Sequence, residues 1–297
     1  MRPEYREEPC RSALNRVEGL PFRWSLNPYM GCAHRCTFCY VRGFELRAER
    51  PSGEAYGRSI RVKTNVVEVL RGELQRRSWE RETVALGTAT DPYQPVEGEY
   101  RLTRGCIDEL GAARTPISII TRSPMIVRDI DVLANAARRA DVQVSFSVPT
   151  LDERAWQTTE PGTAPPRQRL RALERLSTEG IKAGVAVAPI LPGLTDASEQ
   201  LEAVLRAARD AGAAYVWCRV LDLRPGKREH FLERLAVDWP ELVPVYERLY
   251  TRAYLRAQEK AAITERFATV AAAFDIRDRR IRKLEAPPPP RQLALFA

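Results

Sequence analysis

The chain has 297 residues, 44% of them hydrophobic, so it can bury a substantial core and is neither fibrous nor disordered. No apolar run approaches the roughly 20 residues of a membrane-spanning helix, and the charged residues 1–8 lack a signal peptide's apolar stretch, which together predict a cytoplasmic protein. Six cysteines are too few for a disulfide scaffold, and a formal charge of +8 favours polyanionic partners.

In chain order, 1–22 reads as an N-terminal extension and 23–225 as the core. Short apolar runs predict strands at 24–30, 83–87, 117–121, 142–148, 181–190 and 215–221. Amphipathic segments predict helices at 65–77, 103–113, 128–140, 168–179 and 197–211. Strands alternating with helices imply parallel βαβ units with right-handed crossovers, and six of them suit an α/β fold, an open partial (β/α)6 barrel. A helical region follows over 226–284, with helices expected at 241–255 and 258–274. Residues 285–297 form a tail in which Pro287 to Pro290 make a stiff, extended spacer.

Three cysteines fall within eight positions in Asn27-Pro28-Tyr29-Met30-Gly31-Cys32-Ala33-His34-Arg35-Cys36-Thr37-Phe38-Cys39-Tyr40. Thiolates bind iron, and three in a short loop can hold three corners of a [4Fe–4S] cubane and leave the fourth iron open to a ligand. The rival is a zinc site completed by His34, but no second CxxC pair exists to frame it. Cys10, Cys106 and Cys218 read as buried small hydrophobes; Cys106 keeps a weak candidacy as a hydrogen donor if its helix begins late.

Ligands of parallel α/β folds gather beyond the carboxyl ends of the strands, and those ends are polar here. The second strand runs into Gly87, Thr88, Ala89, Thr90 and Asp91. The third ends at Arg122, a guanidinium able to hold a carboxylate bidentately. On the fourth, alternation leaves Ser145 and Ser147 towards the lumen; the fifth carries Pro189 in Gly184–Gly193; on the sixth, Trp217 and Arg219 face the lumen as substrate-contact candidates, with Cys218 turned away.

The CxxxCxxC spacing, with Phe38 before the last cysteine and the first strand just ahead, resembles the radical S-adenosylmethionine (SAM) signature. The resemblance implies a [4Fe–4S] cluster on Cys32, Cys36 and Cys39, with SAM on its open iron, and a reducing electron donor as partner. SAM would be cleaved to a 5′-deoxyadenosyl radical that abstracts hydrogen. Thr88, Ala89, Asp91, Arg122, Ser145, Ser147 and Pro189 become SAM-binding candidates, Gly87 to Ala89 standing where the superfamily's glycine-rich segment receives the amino group. Asn27 to Cys32, Thr90-Asp91-Pro92-Tyr93-Gln94-Pro95, Thr121-Arg122-Ser123 and Arg128-Asp129-Ile130-Asp131 resemble the spore photoproduct lyase-related, DNA repair photolyase-like family. That resemblance implies DNA as substrate and a lyase-type repair of a damaged base. The alternatives are modification of RNA, a peptide or a small metabolite, or a non-catalytic metal-containing binding protein. In the tail, Gln292, Leu293, Leu295 and Phe296 resemble the pentapeptide that docks on the bacterial sliding clamp.

Overall fold

The structure, a computed structural model, describes residues 3–280 and 284–286. The clamp-binding-like peptide at Gln292–Phe296 lies outside the described residues. Among the described residues ten strands form two sheets: β1 (Glu4–Glu8), β2 (Leu14–Arg16), β3 (Trp24–Leu26), β4 (Tyr29–Met30), β5 (Ser59–Lys63), β6 (Val84–Leu86), β7 (Ile117–Thr121), β8 (Val142–Ser147), β9 (Lys182–Ile190) and β10 (Val216–Val220). The helices are α1 (Val41–Arg47), α2 (Val66–Leu74), α3 (Glu97–Tyr100), α4 (Leu102–Ala112), α5 (Ile130–Arg139), α6 (Glu153–Thr159), α7 (Pro166–Thr178), α8 (Ser198–Asp210), α9 (Arg228–Asp238), α10 (Val243–Leu249) and α11 (Ala257–Ala272).

The larger sheet has the order β10-β9-β8-β7-β6-β3-β2. Its six strands from β3 to β10 are parallel and lie side by side in chain order, and β2 adds antiparallel to β3 at one edge. Parallel neighbours in chain order, each joined through helices, wind progressively in one direction, and the sheet stays open between β10 and β2. The expected partial barrel is the fold.

One face of each strand makes the core. Val84, Leu86, Ile117, Ile119, Val142, Val144, Phe146, Val185 and Val187 are buried against Leu70, Ile107, Leu110, Leu133, Leu173, Leu176 and Leu205 of the helices. The same core continues into the later helices through Phe231, Tyr246, Tyr250, Ile263 and Phe267. The other face mixes small, polar and aromatic residues, and register lines it up: Ile120 beside Ser145, Ser145 beside Gly184, Ala186 beside Trp217.

Several expectations are corrected in detail. The strand expected at 24–30 divides: β3 stays in the large sheet, while β4 leaves it for a three-stranded sheet of order β1-β5-β4. Pro28 has no N–H to donate to a ladder and restricts the residue before it, so the chain turns there. Asn27 holds the turn, donating to Thr88 Oγ1 at 3.0 Å and accepting from the Ala89 N–H at 2.8 Å. The presumed extension is structured too, through β1 and β2. The helix expected at 128–140 opens as a 3-10 turn over Pro124–Asp129 and becomes α-helical at Ile130. The helix expected at 241–255 is the short α10, stopped after Leu249; α9 was not anticipated. No helix among the described residues is long and apolar enough to cross a membrane.

Helix α9 docks through His230, Phe231 and Leu235. His230 is 5% exposed, and its Nδ1 lies 3.9 Å from Glu54 Oε1 with no hydrogen-bond partner. Burial, reinforced by the charges of Arg42, Arg234 and Arg35 and opposed by Glu54, pushes its pKa down from 6.5 to about 4. The folded protein therefore binds this proton more weakly than the unfolded chain does. The contribution to stability is complete above pH 6.5 and is lost as the pH falls through about 4. His230→Gln should flatten the decline of melting temperature across that window, measured by thermal unfolding at a series of pH values.

Candidate functional site

The cysteines occupy the loop between β4 and α1, at the carboxyl end of the sheet. Cys32 and Cys36 are 7% and 5% exposed, and Cys39 is half-buried. A loop this buried must satisfy its own backbone. The Gly31 carbonyl accepts from Thr90 Oγ1 (2.6 Å) and Gln94 Nε2 (3.0 Å), and Gln94 Oε1 accepts from the Ala33 N–H (2.9 Å). Thr37 N–H donates to the Thr159 carbonyl at 2.9 Å. From below, Arg42, 1% exposed, donates to the carbonyls of Cys36 (3.2 Å), Arg35 (3.1 Å), Ser52 (2.6 Å) and Gly53 (2.7 Å). Gly57, at φ +76°, passes so close that a Cβ there would stand 2.3 Å from the Cys32 carbonyl oxygen. Thr90, Gln94 and Arg42 were not singled out from sequence. The first two sit in the polar stretch after β6, where nothing points to the loop they hold, and an arginine after a cysteine loop carries no signal of its own.

The donor set suits a metal cluster. Burial pushes Cys32 well up, with Asp91 and the other two cysteines adding to it. Burial also pushes Cys36 up to about 12, Arg122 and Arg169 acting against it and Glu160 with it. Thiols held this way become thiolates only when cationic metal binds. Among the described residues no three His, Cys, Asp or Glu side chains converge on one ion. A polynuclear cluster instead takes each thiolate on its own iron. His34 is buried with Nδ1 3.3 Å from Asp91 Oδ2, so its ring faces Asp91.

The strand ends bring most of the expected residues to the same place, several with different duties. Asp91 is committed to the chain itself. Its Oδ1 accepts from Tyr93 N–H (2.9 Å) and Thr121 Oγ1 (2.7 Å), and its Oδ2 from Arg122 N–H (2.7 Å). Burial alone would raise its pKa, but His34 and these donors outweigh that and hold it at about 2. Thr88 Oγ1 and the Ala89 N–H are taken by Asn27, and the Thr88 carbonyl accepts from the Tyr40 hydroxyl. Ser147 donates to the Ala188 carbonyl at 2.8 Å, one residue before Pro189, which follows a cis peptide bond. Ser145 Oγ lies 3.0 Å from Tyr215 Oη and accepts from Trp217 Nε1 at 3.3 Å. Trp217 and Arg219 lie on the polar, exposed side of β10, and Cys218 packs towards the core.

Arg122 is the centre of a buried ion cluster. Its Nε donates to Glu160 Oε1 at 2.6 Å, its Nη2 to the Ala188 carbonyl at 3.1 Å, and its guanidinium carbon stands 5.5 Å from the Phe38 ring centroid. Two of its five N–H groups are thus occupied, which leaves both on Nη1 and one on Nη2 for a ligand. Glu160, fully buried, also takes Arg169 Nη1 at 3.2 Å on each oxygen. Arg169 continues to Ser147 O, Ala164 O and Thr163 Oγ1. Two cations and one anion leave net positive charge beside Cys36. Sequence reasoning missed Glu160 and Arg169, which lie 38 and 47 residues from Arg122 with no motif between them.

Cys106 is corrected as a hydrogen donor. Helix α4 begins at Leu102, a full turn ahead of it, and the thiol is fully buried in the core. A cavity of about 400 Å³ lined in part by Ser177, Asp210 and Arg280 opens at the amino ends of β9 and β10, the end of the barrel away from the cysteines.

Glu160→Gln should leave the buried Arg169 and half-buried Arg122 guanidiniums without their counter-charge and cost on the order of 3 kcal/mol in chemical denaturation. Adding Arg169→Met, which removes one of the two cations, should recover part of that loss, a coupling readable in a double-mutant cycle.

The site and fold have known relatives. A protein of Mycobacterium tuberculosis described as uncharacterised is 41% identical over 274 residues, covering 91% of this chain and 81% of its own length. The radical SAM Nα-GlyT isomerase of Pseudomonas phage M6 is 26% identical over 263 residues, 86% of this chain and 50% of that protein. Among solved structures, a spore photoproduct lyase double mutant with bound AdoMet and dinucleoside spore photoproduct superposes with a TM-score of 0.70 at 15% identity, covering 91% of this chain and 79% of that one. The family model for the radical SAM superfamily matches residues 26–208, the span that carries the cysteine loop, the parallel strands β6 to β9 and the Arg122 cluster; the chain belongs to the radical SAM superfamily.

Proposed function

We propose that this protein holds a [4Fe–4S] cluster on Cys32, Cys36 and Cys39 and uses SAM to abstract hydrogen from a base in DNA, in a repair or base-modifying reaction. When bound, such a cluster supplies the electron that cleaves SAM to methionine and a 5′-deoxyadenosyl radical. The observation that carries the reading is the set of three thiols, two buried and one half-buried, at the carboxyl end of an open parallel sheet, beside a guanidinium with N–H donors unspent. Arg122 Nη1 would receive the methionine carboxylate, its plane fixed by Glu160, the Ala188 carbonyl and Phe38. Thr88 and Ala89 would bound the amino end, and Ser145, Ser147 and Pro189 the adenosine side. Trp217 and Arg219 stand at the substrate side. DNA as the substrate is supported by the net charge of +8 and by the fold likeness to a lyase solved with a dinucleoside lesion. The tail at Gln292–Phe296 supports recruitment to a sliding clamp, the four prolines ahead of it providing reach at low entropic cost.

Oxygen-free reconstitution should give a protein with an iron–sulfur absorbance band that, given a reductant and SAM, releases 5′-deoxyadenosine and alters damaged DNA, read by mass spectrometry of the digested bases. Cys36→Ala should lose the iron. A change in RNA, a peptide or a small metabolite with DNA left intact would defeat the DNA assignment.

Deletion of Gln292–Phe296 should abolish binding to immobilised bacterial sliding clamp in surface plasmon resonance. Undiminished binding would defeat recruitment.

A further inference from the structure

Eight large apolar or aromatic side chains are exposed among the described residues, and five of them lie on elements that flank the cysteine loop: Tyr40, Phe44 and Leu46 along α1, Trp217 on β10 and Tyr254 beside Arg224 just after β10. Scattered surface hydrophobes need no explanation, but a cluster around one opening does. Tyr40, Phe44 and Arg47 follow one another at helical spacing along the outer side of α1, whose other side buries Val41, Arg42 and Glu45. The Tyr40 and Phe44 rings meet edge-on at 5.7 Å, and the Arg47 guanidinium lies 4.9 Å from the Phe44 centroid.

The strip continues onto the segment after β10. Gly43 and Gly226 let the two backbones touch: a Cβ on Gly43 would stand 2.9 Å from the Pro225 carbonyl, and one on Gly226 2.9 Å from Gly43 Cα. Two residues earlier, Arg224 lies 5.2 Å over the exposed Tyr254 ring. Arg219 stands close enough for its charge to act on the Tyr40 phenol. Asp222 is shared by three cations, Lys227 at 2.7 Å, Arg224 at 3.7 Å and Arg219 at 3.8 Å, and Glu229 accepts from the Gly226 N–H at 2.7 Å. With Arg47, the cations outnumber these acids, so the strip keeps net positive charge between exposed rings.

We infer that this strip is a stacking platform for single-stranded DNA, which it lays across the mouth of the site; this rests on the reading of DNA as substrate. Flat rings spaced among guanidiniums are what a strand with unpaired bases requires. Each base offers a π-face to a ring, and each phosphate a charge to an arginine. A duplex hides its base faces and can use only the arginines. Phe44 and Tyr254 take bases, Arg47 and Arg224 take phosphates, and a nucleotide between them is left over the opening where Trp217 stands.

The test is fluorescence anisotropy with the reconstituted full chain and a labelled single-stranded deoxyoligonucleotide, its duplex and the RNA of the same sequence. The single-stranded DNA should bind best. Phe44→Ala/Tyr254→Ala should weaken it by about tenfold or more. Arg47→Gln/Arg224→Gln should lower the slope of log affinity against log salt by about 1.4 for two lost phosphate contacts. Leu20→Ala, which removes an exposed side chain before β3 at the far end of the sheet, should change nothing. Equal affinity for the duplex, preference for RNA, or wild-type affinity in Phe44→Ala/Tyr254→Ala would overturn the inference. The two readings fail separately. Tight strand binding without any altered base removes the reaction and leaves the platform, whereas altered bases with unchanged affinity in the double variant remove the platform alone.

Discussion

The cysteine loop can be as dry as it is because a buried positive charge lies beneath it. Arg42 sits under the loop with its guanidinium spread across four carbonyl oxygens and 4.6 Å from the centroid of the Tyr56 ring. Tyr56 Oη in turn lies 3.5 Å from Cys39 Sγ. Burial lowers the Arg42 pKa, and Cys39, Tyr56 and Cys36 act against that. One side chain thus satisfies carbonyls of the cysteine loop and of residues 52–53 and places a cation beside the thiols. With Arg122 and Arg169 near Cys36, the loop is flanked by positive charge on two sides, the surroundings that favour thiolate ligands and the negative charge they bring.

The phrase from Thr90 to Pro95 shows how a stretch noticed for its familiarity works as a clamp. Thr90 and Gln94 grip the Gly31 carbonyl, and Asp91 ties the end of β6 to the end of β7. The Pro92 carbonyl accepts from Thr103 Oγ1 at 2.6 Å and so anchors α4. Gly87 makes the entry possible: at φ +91° it runs so close to β7 that a Cβ would stand 2.3 Å from the Ile120 carbonyl oxygen. The cysteine loop, two strand ends and one helix are held by six consecutive residues, which is why so little of this segment is spare for a ligand.

What was legible in the sequence was whatever follows a period. Val142, Val144 and Phe146 alternate with Gln143, Ser145 and Ser147, and the structure buries the first set in the core. The six parallel strands and the helices between them came from such patterns. The cysteines were legible through their spacing alone. β1 was not, because Glu4-Tyr5-Arg6-Glu7-Glu8 has no apolar face; it exists through backbone pairing with β5, a partner more than fifty residues away. Helix α9 was hidden similarly: its buried His230, Phe231 and Leu235 trace too narrow a stripe to read as amphipathic. Glu160, Arg169 and Arg42 act across long separations or through main-chain carbonyls. No local pattern encodes such contacts.

The first strands bear on any shortening of the chain. Glu73 on α2 is 8% exposed, and its carboxylate accepts from Ser12 Oγ (2.8 Å), Leu14 N–H (2.9 Å) and Ala13 N–H (3.3 Å). Trimming the leading twenty residues as though they were a loose leader would strip an outer strand from both sheets at once. It would also strand an acid inside the protein without its present donors, so the damage would reach α2 and β5 as well as β3 beside the cut.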